Sequence, residues 1–132
     1  MSFMNRLANS SNKFQGPAKR VLCVCSAGLL RSPTTANVLH KEYGYNTRAC
    51  GTSEEYALIP LDDVLIAWAD EIVFVEQEKY DEAWADFGDK LKHKRNIVLD
   101  IPDRYEWGDP ELEAIIKKQY ADAAIMERAY EG

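Results

Sequence analysis

The sequence predicts an α/β fold: a three-layer sandwich in which helices cover both faces of a four-stranded parallel sheet, with the strand order 2-1-3-4. Short apolar runs, which are typical of strands buried on both faces, alternate with longer segments of helical periodicity. The 132 residues are enough for one hydrophobic core. No apolar run approaches the ~20 residues that a membrane-spanning helix requires. These observations favour one globular domain.

Strands are predicted from apolar runs bounded by turn residues, over residues 21–25, 46–50, 71–75 and 96–101. Helices are predicted between and after them, over residues 32–43, 61–69, 77–91 and 109–130. Ser32 before Pro33 predicts the first helix start, because serine caps a helix and proline lacks the N–H that would be unpaired there. The third helix is amphipathic, and its apolar stripe is predicted to face the core: Tyr80, Trp84, Phe87 and Leu91.

The charged residues divide the chain into an arm and a body. We expect residues 1–19 to form a polar, flexible N-terminal arm and residues 20–132 to form the single domain. Acidic side chains outnumber basic ones by 22 to 16, although the arm itself is basic. The acidic body excludes nucleic acid and anionic membranes as natural partners. Because the first residues lack the apolar stretch of a secretory signal, we expect a cytoplasmic protein with reduced cysteines.

The segment from Cys25 to Ser32 carries the chemistry. A cysteine ends a buried strand, five residues turn the chain, and Arg31 opens a helix. Five residues can arrange their backbone N–H groups around one small anion at the positive end of a helix. Gly28 can supply the positive φ that such a tight ring demands. We therefore predict a phosphate-binding loop formed by Ser26, Ala27, Gly28, Leu29, Leu30, Arg31 and Ser32.

Three side chains of this segment have expected chemical roles. The thiol of Cys25 lies at the bottom of the predicted ring, where the positive field favours the thiolate and makes the sulfur a nucleophile. The planar guanidinium of Arg31 can hold two oxygens of a tetrahedral anion. The hydroxyl of Ser32 can donate to the sulfur and so stabilise the thiolate.

Residues 25–33 follow the pattern Cys-x5-Arg-Ser-Pro directly after the first predicted strand, and here the sequence resembles the low-molecular-weight protein tyrosine phosphatases. The likeness is to a short subgroup of predicted phosphatases within that family. It continues at 49–53, Ala-Cys-Gly-Thr-Ser, which is similar to the family's Ser-Ala-Gly-Thr segment. It returns at 101–105, Ile-Pro-Asp-Arg-Tyr, which is similar to the family's Asp-Pro-Tyr loop. Together these motifs span roughly residues 20–125.

The resemblance implies a phosphomonoesterase, specifically a protein-tyrosine phosphatase that works through a cysteinyl-phosphate and needs no metal or other cofactor. The expected partners are a phosphotyrosine protein or a small phosphomonoester, with inorganic phosphate or sulfate held in the loop. Asp103 is the expected general acid, because it follows a strand end in a loop, and Asp100 competes for that role from within the strand. A substrate rim is predicted from aromatic residues, although a loop aromatic can also simply pin its loop: Tyr105, Tyr56 and Trp107.

Alternative functions remain open at this point. An arsenate reductase on the same scaffold would need further cysteines downstream of Cys25, and Cys50 is the only one. A non-catalytic phosphopeptide-binding module would need neither the thiol nor the acid. A phosphotransfer carrier would not need the arginine. Cys23 and Cys50 are predicted to pack in the core, with a backup-thiol role left open. Leu30 stands where the family often has a second, protecting cysteine.

Overall fold

The structure is a computed structural model that describes residues 18–26, 31–53, 57, 59–102, 104–106 and 109–131, with side chains as far as residue 124. Within these ranges lie four strands: β1 (Arg20–Cys25), β2 (Asn46–Gly51), β3 (Glu71–Phe74) and β4 (Arg95–Val98). The helices are α1 (Arg31–Tyr43), α2 (Asp63–Trp68), α3 (Gln77–Phe87), α4 (Asp89–Lys92) and α5 (Pro110–Glu131). Residues 1–17 of the predicted arm lie outside the described residues.

The predicted sheet is confirmed. Its strands are all parallel and lie in the order β2-β1-β3-β4. β1 is in the interior of the sheet, where Val24 lies opposite Cys50 on one side and Phe74 on the other. Because parallel strands end at one edge of a sheet, the carboxyl end of β1 lies between those of β2 and β3. Active sites of such sheets lie beyond this edge.

Helices cover both faces of the sheet, as predicted. One face packs against α1 and α5 through buried residues such as Leu39 and Ile116. The other face packs against α2, α3 and α4 through Ile66, Ala83 and Leu91. Successive residues of β1 alternate between the two faces, since side chains of a strand point to opposite sides of the sheet. None of the helices in the described part of the chain combines the length and apolarity needed to span a bilayer.

Two helix ends are formed by residue types that favour such ends: a glycine after α1 and an aspartate before α2. α1 ends before Gly44, whose φ of 71° is in the left-handed region, and the Gly44 amide donates to the carbonyl of His40 at 2.9 Å. α2 begins after Asp62, whose carboxylate accepts from the backbone N–H of Leu65 at 2.8 Å.

The prediction of one helix over residues 77–91 is wrong. Gly88, with a φ of 29°, separates α3 from α4, so residues on either side do not share one helical face. Of the predicted apolar stripe, Leu91 is fully buried and Tyr80 and Phe87 pack against the core, but Trp84 is 42% exposed. Within α3 the buried positions are instead Lys79 and Ala83, one helical turn apart. The small side chain of Ala83 faces the sheet, and a lysine occupies the neighbouring buried position.

A buried carboxylate anchors the amino-terminal end of the sheet. Glu71 begins β3 with a side chain that is 0% exposed. Its Oε2 accepts from the Tyr120 hydroxyl at 2.9 Å and lies 2.6 Å from the ammonium of Lys19, while Arg95 Nε is 3.7 Å from Oε1. Burial, and then the charge of Glu71, raises the pKa of Tyr120, so that its hydroxyl stays protonated as a donor.

Replacing Glu71 by glutamine is expected to lower the free energy of unfolding by about 2–4 kcal/mol, because it leaves two cations without their buried carboxylate. Urea unfolding followed by circular dichroism measures this change. Asp70→Asn is the matched control, since Asp70 pairs with Arg20 at the surface and such pairs contribute at most about 1 kcal/mol. Equal losses in the two variants would contradict the structural role given to Glu71.

Candidate functional site

The candidate site lies at the carboxyl edge of the sheet, where β1 ends at Cys25. The Cys25 side chain is 4% exposed. The chain after β2 is hydrogen-bonded to the chain after β1: Thr52 N donates to the Cys25 carbonyl at 2.8 Å, and Ser53 N donates to the Ser26 carbonyl at 2.9 Å. These bonds extend the pairing of the two strands to the start of the predicted loop. The position of the sulfur is therefore set by the rigid centre of the sheet.

Ser32 contacts the sulfur of Cys25. Its Oγ lies 3.1 Å from Cys25 Sγ and donates to the Cys50 carbonyl at 3.2 Å. A hydroxyl has one proton, so while it binds the carbonyl the thiol can donate to the hydroxyl oxygen. When the sulfur is ionised, rotation of the same hydroxyl can direct its proton to the thiolate. The predicted capping role of Ser32 is wrong, because α1 already begins at Arg31 and the buried Ser32 hydroxyl faces the strands instead.

Arg31 is held at the first position of α1. Its side chain is 5% exposed. Nη1 donates to the Ile101 carbonyl at 3.0 Å and lies 3.2 Å from Oε1 of Glu76. A buried charge requires such partners, because an unpaired one costs several kcal/mol. One guanidinium nitrogen thus joins the chain after β4 to the chain after β3, close to the end of β1.

Glu76 is a site residue for which the sequence favours a solvated helix start, with a site role left open by its place near the end of a predicted strand. It directly precedes α3 but makes no side-chain cap bond there. Its Oε1 instead lies 3.2 Å from Arg31 and 3.8 Å from Lys79. The available signal was its place just beyond β3, since residues after neighbouring parallel strands meet at one edge. A glutamate at a helix start is so common that a solvated cap was the simpler interpretation.

Several predicted site residues lie outside the described residues: Ala27, Gly28, Leu29 and Leu30 of the loop, the expected acid Asp103, and Tyr56 and Trp107 of the expected rim. Among those that are described, Cys25, Ser26, Arg31 and Ser32 come together at the carboxyl edge. Asp100, the competing acid, is exposed, and its backbone is held at both ends by the Gln119 amide, at 2.7 and 3.0 Å.

Tyr105 is buried with the core rather than displayed at a rim. Its side chain is 7% exposed and packs with the cluster that includes Leu112. Its hydroxyl accepts from Arg104 at 3.1 Å and donates to Glu111 at 3.4 Å. Of the two roles expected for this tyrosine, the burial favours the one in which the ring pins its loop. Arg104 and Tyr105 are thereby tied to the start of α5.

The other two cysteines have the environment of core residues. Cys23 and Cys50 are both 0% exposed, and burial raises the pKa of each thiol well above its ordinary value. Cys50 lies on the opposite face of the sheet from Cys25. Cys23 shares the face of Cys25, but parallel Cβ vectors two residues apart on a strand keep about 6.6 Å between them, against the ~3.8 Å of a disulfide. Neither thiol is placed to form a disulfide with Cys25.

The chain has the fold of solved low-molecular-weight tyrosine and arginine phosphatases, and the motif resemblance had predicted the fold of the tyrosine phosphatases. A scan of protein-family models and a search of curated proteins found no match to the chain.

Three solved structures illustrate the likeness. The YwlE arginine phosphatase from Geobacillus stearothermophilus is 19% identical, with 86% of this chain and 97% of that chain covered and a TM-score of 0.59. The tyrosine phosphatase Wzb from Escherichia coli K30, in complex with phosphate, is 13% identical over 80% and 95% of the two chains, with a TM-score of 0.63. Vibrio vulnificus Wzb, in complex with benzylphosphonate, is 18% identical over 83% and 96%, with a TM-score of 0.61. At these identities the likeness establishes the fold.

Proposed function

We propose that this protein is a cysteine-dependent phosphomonoesterase that hydrolyses phosphotyrosine. The observation that carries the proposal is the placement of the Cys25 sulfur 3.1 Å from the Ser32 hydroxyl, at a sheet edge where Arg31 is also anchored. A thiol, a hydroxyl that can stabilise its thiolate and a fixed guanidinium form the set that nucleophilic attack on a tetrahedral anion requires. A module that only binds phosphate would need no thiol there.

The reaction proceeds in two displacements. The Cys25 thiolate attacks phosphorus in line, the S–P bond forms, and the P–O bond to the leaving group breaks. Asp103 gives its proton to the departing oxygen. The resulting carboxylate then takes a proton from water, which attacks phosphorus, releases inorganic phosphate and returns the thiolate.

Arg31 supplies the electrostatic stabilisation. Its Nη1 is held by the Ile101 carbonyl and by Glu76, so the guanidinium plane is oriented before a substrate arrives. Charge develops on the equatorial phosphoryl oxygens in the transition state, and a preorganised cation lowers its energy without reorganisation. The loop amides of residues 26–30 would add hydrogen bonds to the same oxygens.

Two of the structural neighbours support a phosphoryl substrate, since one is a tyrosine phosphatase in complex with phosphate and another is in complex with benzylphosphonate. A further neighbour is an arginine phosphatase. The choice between phosphotyrosine and phosphoarginine therefore needs a direct test. The experiment measures hydrolysis of p-nitrophenyl phosphate, a phosphotyrosine peptide and a phosphoarginine peptide in the presence of a chelator. Hydrolysis of the phosphotyrosine peptide with a higher kcat/KM than the phosphoarginine peptide is expected. A higher kcat/KM for the phosphoarginine peptide would make phosphoarginine the substrate in place of phosphotyrosine. Absence of all three activities would refute the proposed function.

Asp103→Asn is expected to lower kcat on phenyl phosphate by about a hundredfold or more, because phenoxide is a poor leaving group that needs a proton. On p-nitrophenyl phosphate the loss is expected to be smaller, since that leaving group is stable without one. Asp100→Asn is the matched control and should keep kcat on both esters. If Asp100→Asn lost activity on phenyl phosphate and Asp103→Asn kept it, the acid role would pass to Asp100.

A further inference from the structure

A buried lysine lies behind the candidate site. Lys79 is in the first turn of α3 and is 5% exposed. Its ammonium is 3.3 Å from a carboxylate oxygen of Glu78, 3.3 Å from one of Glu82 and 3.8 Å from Oε1 of Glu76. Lysine is almost never buried without such partners, and a cation in the first turn opposes the helix dipole. Local helix energetics therefore do not explain the residue.

Lys79 forms a charged cluster with Glu76, Glu78 and Glu82, and two branches of contacts lead from this cluster to the site. The first branch leads to the guanidinium of Arg31. Oε1 of Glu76 lies 3.2 Å from Arg31 Nη1, and the same oxygen faces the ammonium of Lys79. A single carboxylate oxygen is thus shared between two buried cations. The carboxylate of Glu76 is attracted to Lys79 as well as to Arg31. Glu76 can therefore orient Arg31 without pairing with it alone.

The second branch leads to the backbone of the nucleophile. Glu82 faces Lys79 with Oε1, and its Oε2 accepts a short hydrogen bond of 2.5 Å from the Thr52 hydroxyl. The backbone N–H of Thr52 donates to the Cys25 carbonyl at 2.8 Å. Lys79 is therefore linked by contacts to both ends of the cysteine–arginine segment, at Cys25 and at Arg31.

The surroundings of Lys79 and Glu82 favour the charged forms of these two groups. Burial alone would lower the pKa of Lys79, but hydrogen bonds and charges from Glu82 and Glu78 outweigh it and raise that pKa above its ordinary value. Burial would likewise raise the pKa of Glu82, but hydrogen bonds from Thr52 and Lys79 lower it. The ammonium of Lys79 and the carboxylate of Glu82 are thus held together as ions.

We propose that Lys79 is a positioning residue for the oxyanion site, acting through Glu76 on Arg31 and through Glu82 on Thr52 and Cys25. Without its ammonium, the carboxylates of Glu76, Glu78 and Glu82 repel one another, and the full charge of Glu76 competes with a bound anion for Arg31. The inference rests on the proposed function, because it takes the site to bind phosphate. It does not depend on turnover.

The test measures the Kd of inorganic phosphate by calorimetry, with the Tm of each variant in parallel. Lys79→Met is expected to raise that Kd about tenfold, because misplacement of a positioned group weakens its interactions. Lys79→Arg keeps a cation and is expected to stay within about threefold of the wild type. Lys90→Met is the matched control: Lys90 lies in α4, is exposed and pairs with Asp63, so its Kd should not change.

A lower Tm for Lys79→Met with an unchanged Kd would overturn the inference, since the lysine would then only stabilise the fold. If Lys79→Met does not fold, Thr52→Val and Thr52→Ser test the second branch: valine should weaken phosphate binding, and serine, which keeps the hydroxyl, should restore it. Equal binding by these two variants would overturn the inference.

The two hypotheses fail in different ways. Phosphate binding by the wild type without hydrolysis would refute the proposed function and leave the role of Lys79 to be decided by the Kd values. Hydrolysis by the wild type with equal Kd values for wild type and Lys79→Met would refute the role of Lys79 alone. A wild type that binds no phosphate would refute both.

Discussion

Replacing Cys25 by serine is expected to reduce kcat for phosphate ester hydrolysis by roughly a thousandfold or more, as loss of a nucleophile does in other enzymes. A serine hydroxyl is a much weaker nucleophile than a cysteine sulfur, and the proposed mechanism needs the sulfur to attack phosphorus. The contact with Ser32 at 3.1 Å would join two hydroxyls and leave no thiolate to stabilise. Steady-state hydrolysis of p-nitrophenyl phosphate measures the loss.

The substitution changes one atom in a side chain that is 4% exposed, so we expect the fold to persist. A circular dichroism spectrum and a Tm close to those of the wild type would verify this. Cys23→Ala is the matched control on the same strand and the same face of the sheet, and it should retain kcat. Activity of Cys25→Ser at the wild-type level would remove Cys25 as the nucleophile and, with it, the proposed mechanism.

Replacing Arg31 by lysine is expected to lower kcat/KM by about a hundred- to a thousandfold, the loss typical when a preorganised group that stabilises transition-state charge is removed. An ammonium keeps the charge but lacks the planar fork that binds two oxygens at once. If two of its three N–H donors bonded the Ile101 carbonyl and Glu76, only one would be left for a phosphoryl group. The measurement is kcat/KM together with the Kd of inorganic phosphate.

Arg20→Lys provides the matched control for that substitution. Arg20 begins β1 at the far end of the same strand and pairs with Asp70 at the surface, so the variant should retain kcat/KM. Near-normal kcat/KM in Arg31→Lys would show that charge alone suffices. The oriented guanidinium would then have no place in the mechanism.

The sheet and the edge that carries the site were predictable because both depend on local patterns. Apolar runs such as 71–75 identify strands that are buried on both faces. The succession of strand, cysteine, five residues and Arg31 predicts a phosphate-binding loop, since the chemistry requires those residue types at that spacing, and residues 27–30 of that loop lie outside the described residues. The contact of Ser32 with the Cys25 sulfur followed from the same segment.

The polar groups behind the site were not predictable, because their partners lie far apart in the sequence. The contact of Arg31 with Glu76 depends on β3 lying beside β1. Burial of Lys79 depends on how α3 packs on the sheet, whereas its charge predicts a solvated position. Trp84 shows the converse: its apolarity predicts burial, but it lies at 42% exposure because Ala83 faces the sheet.

The thiols of Cys23 and Cys25 lie two positions apart on one strand, yet we expect an alkylating reagent to modify them at different rates. β1 has a neighbouring strand on each side and helices over both faces, so its amides are expected to exchange with solvent only through opening of the whole domain. An alkylating reagent would accordingly reach Cys23 only at the rate of global unfolding. The proposed function requires the Cys25 sulfur at the sheet edge to be reached in the native state, so we expect its modification to be faster than that of Cys23 and to slow when phosphate binds.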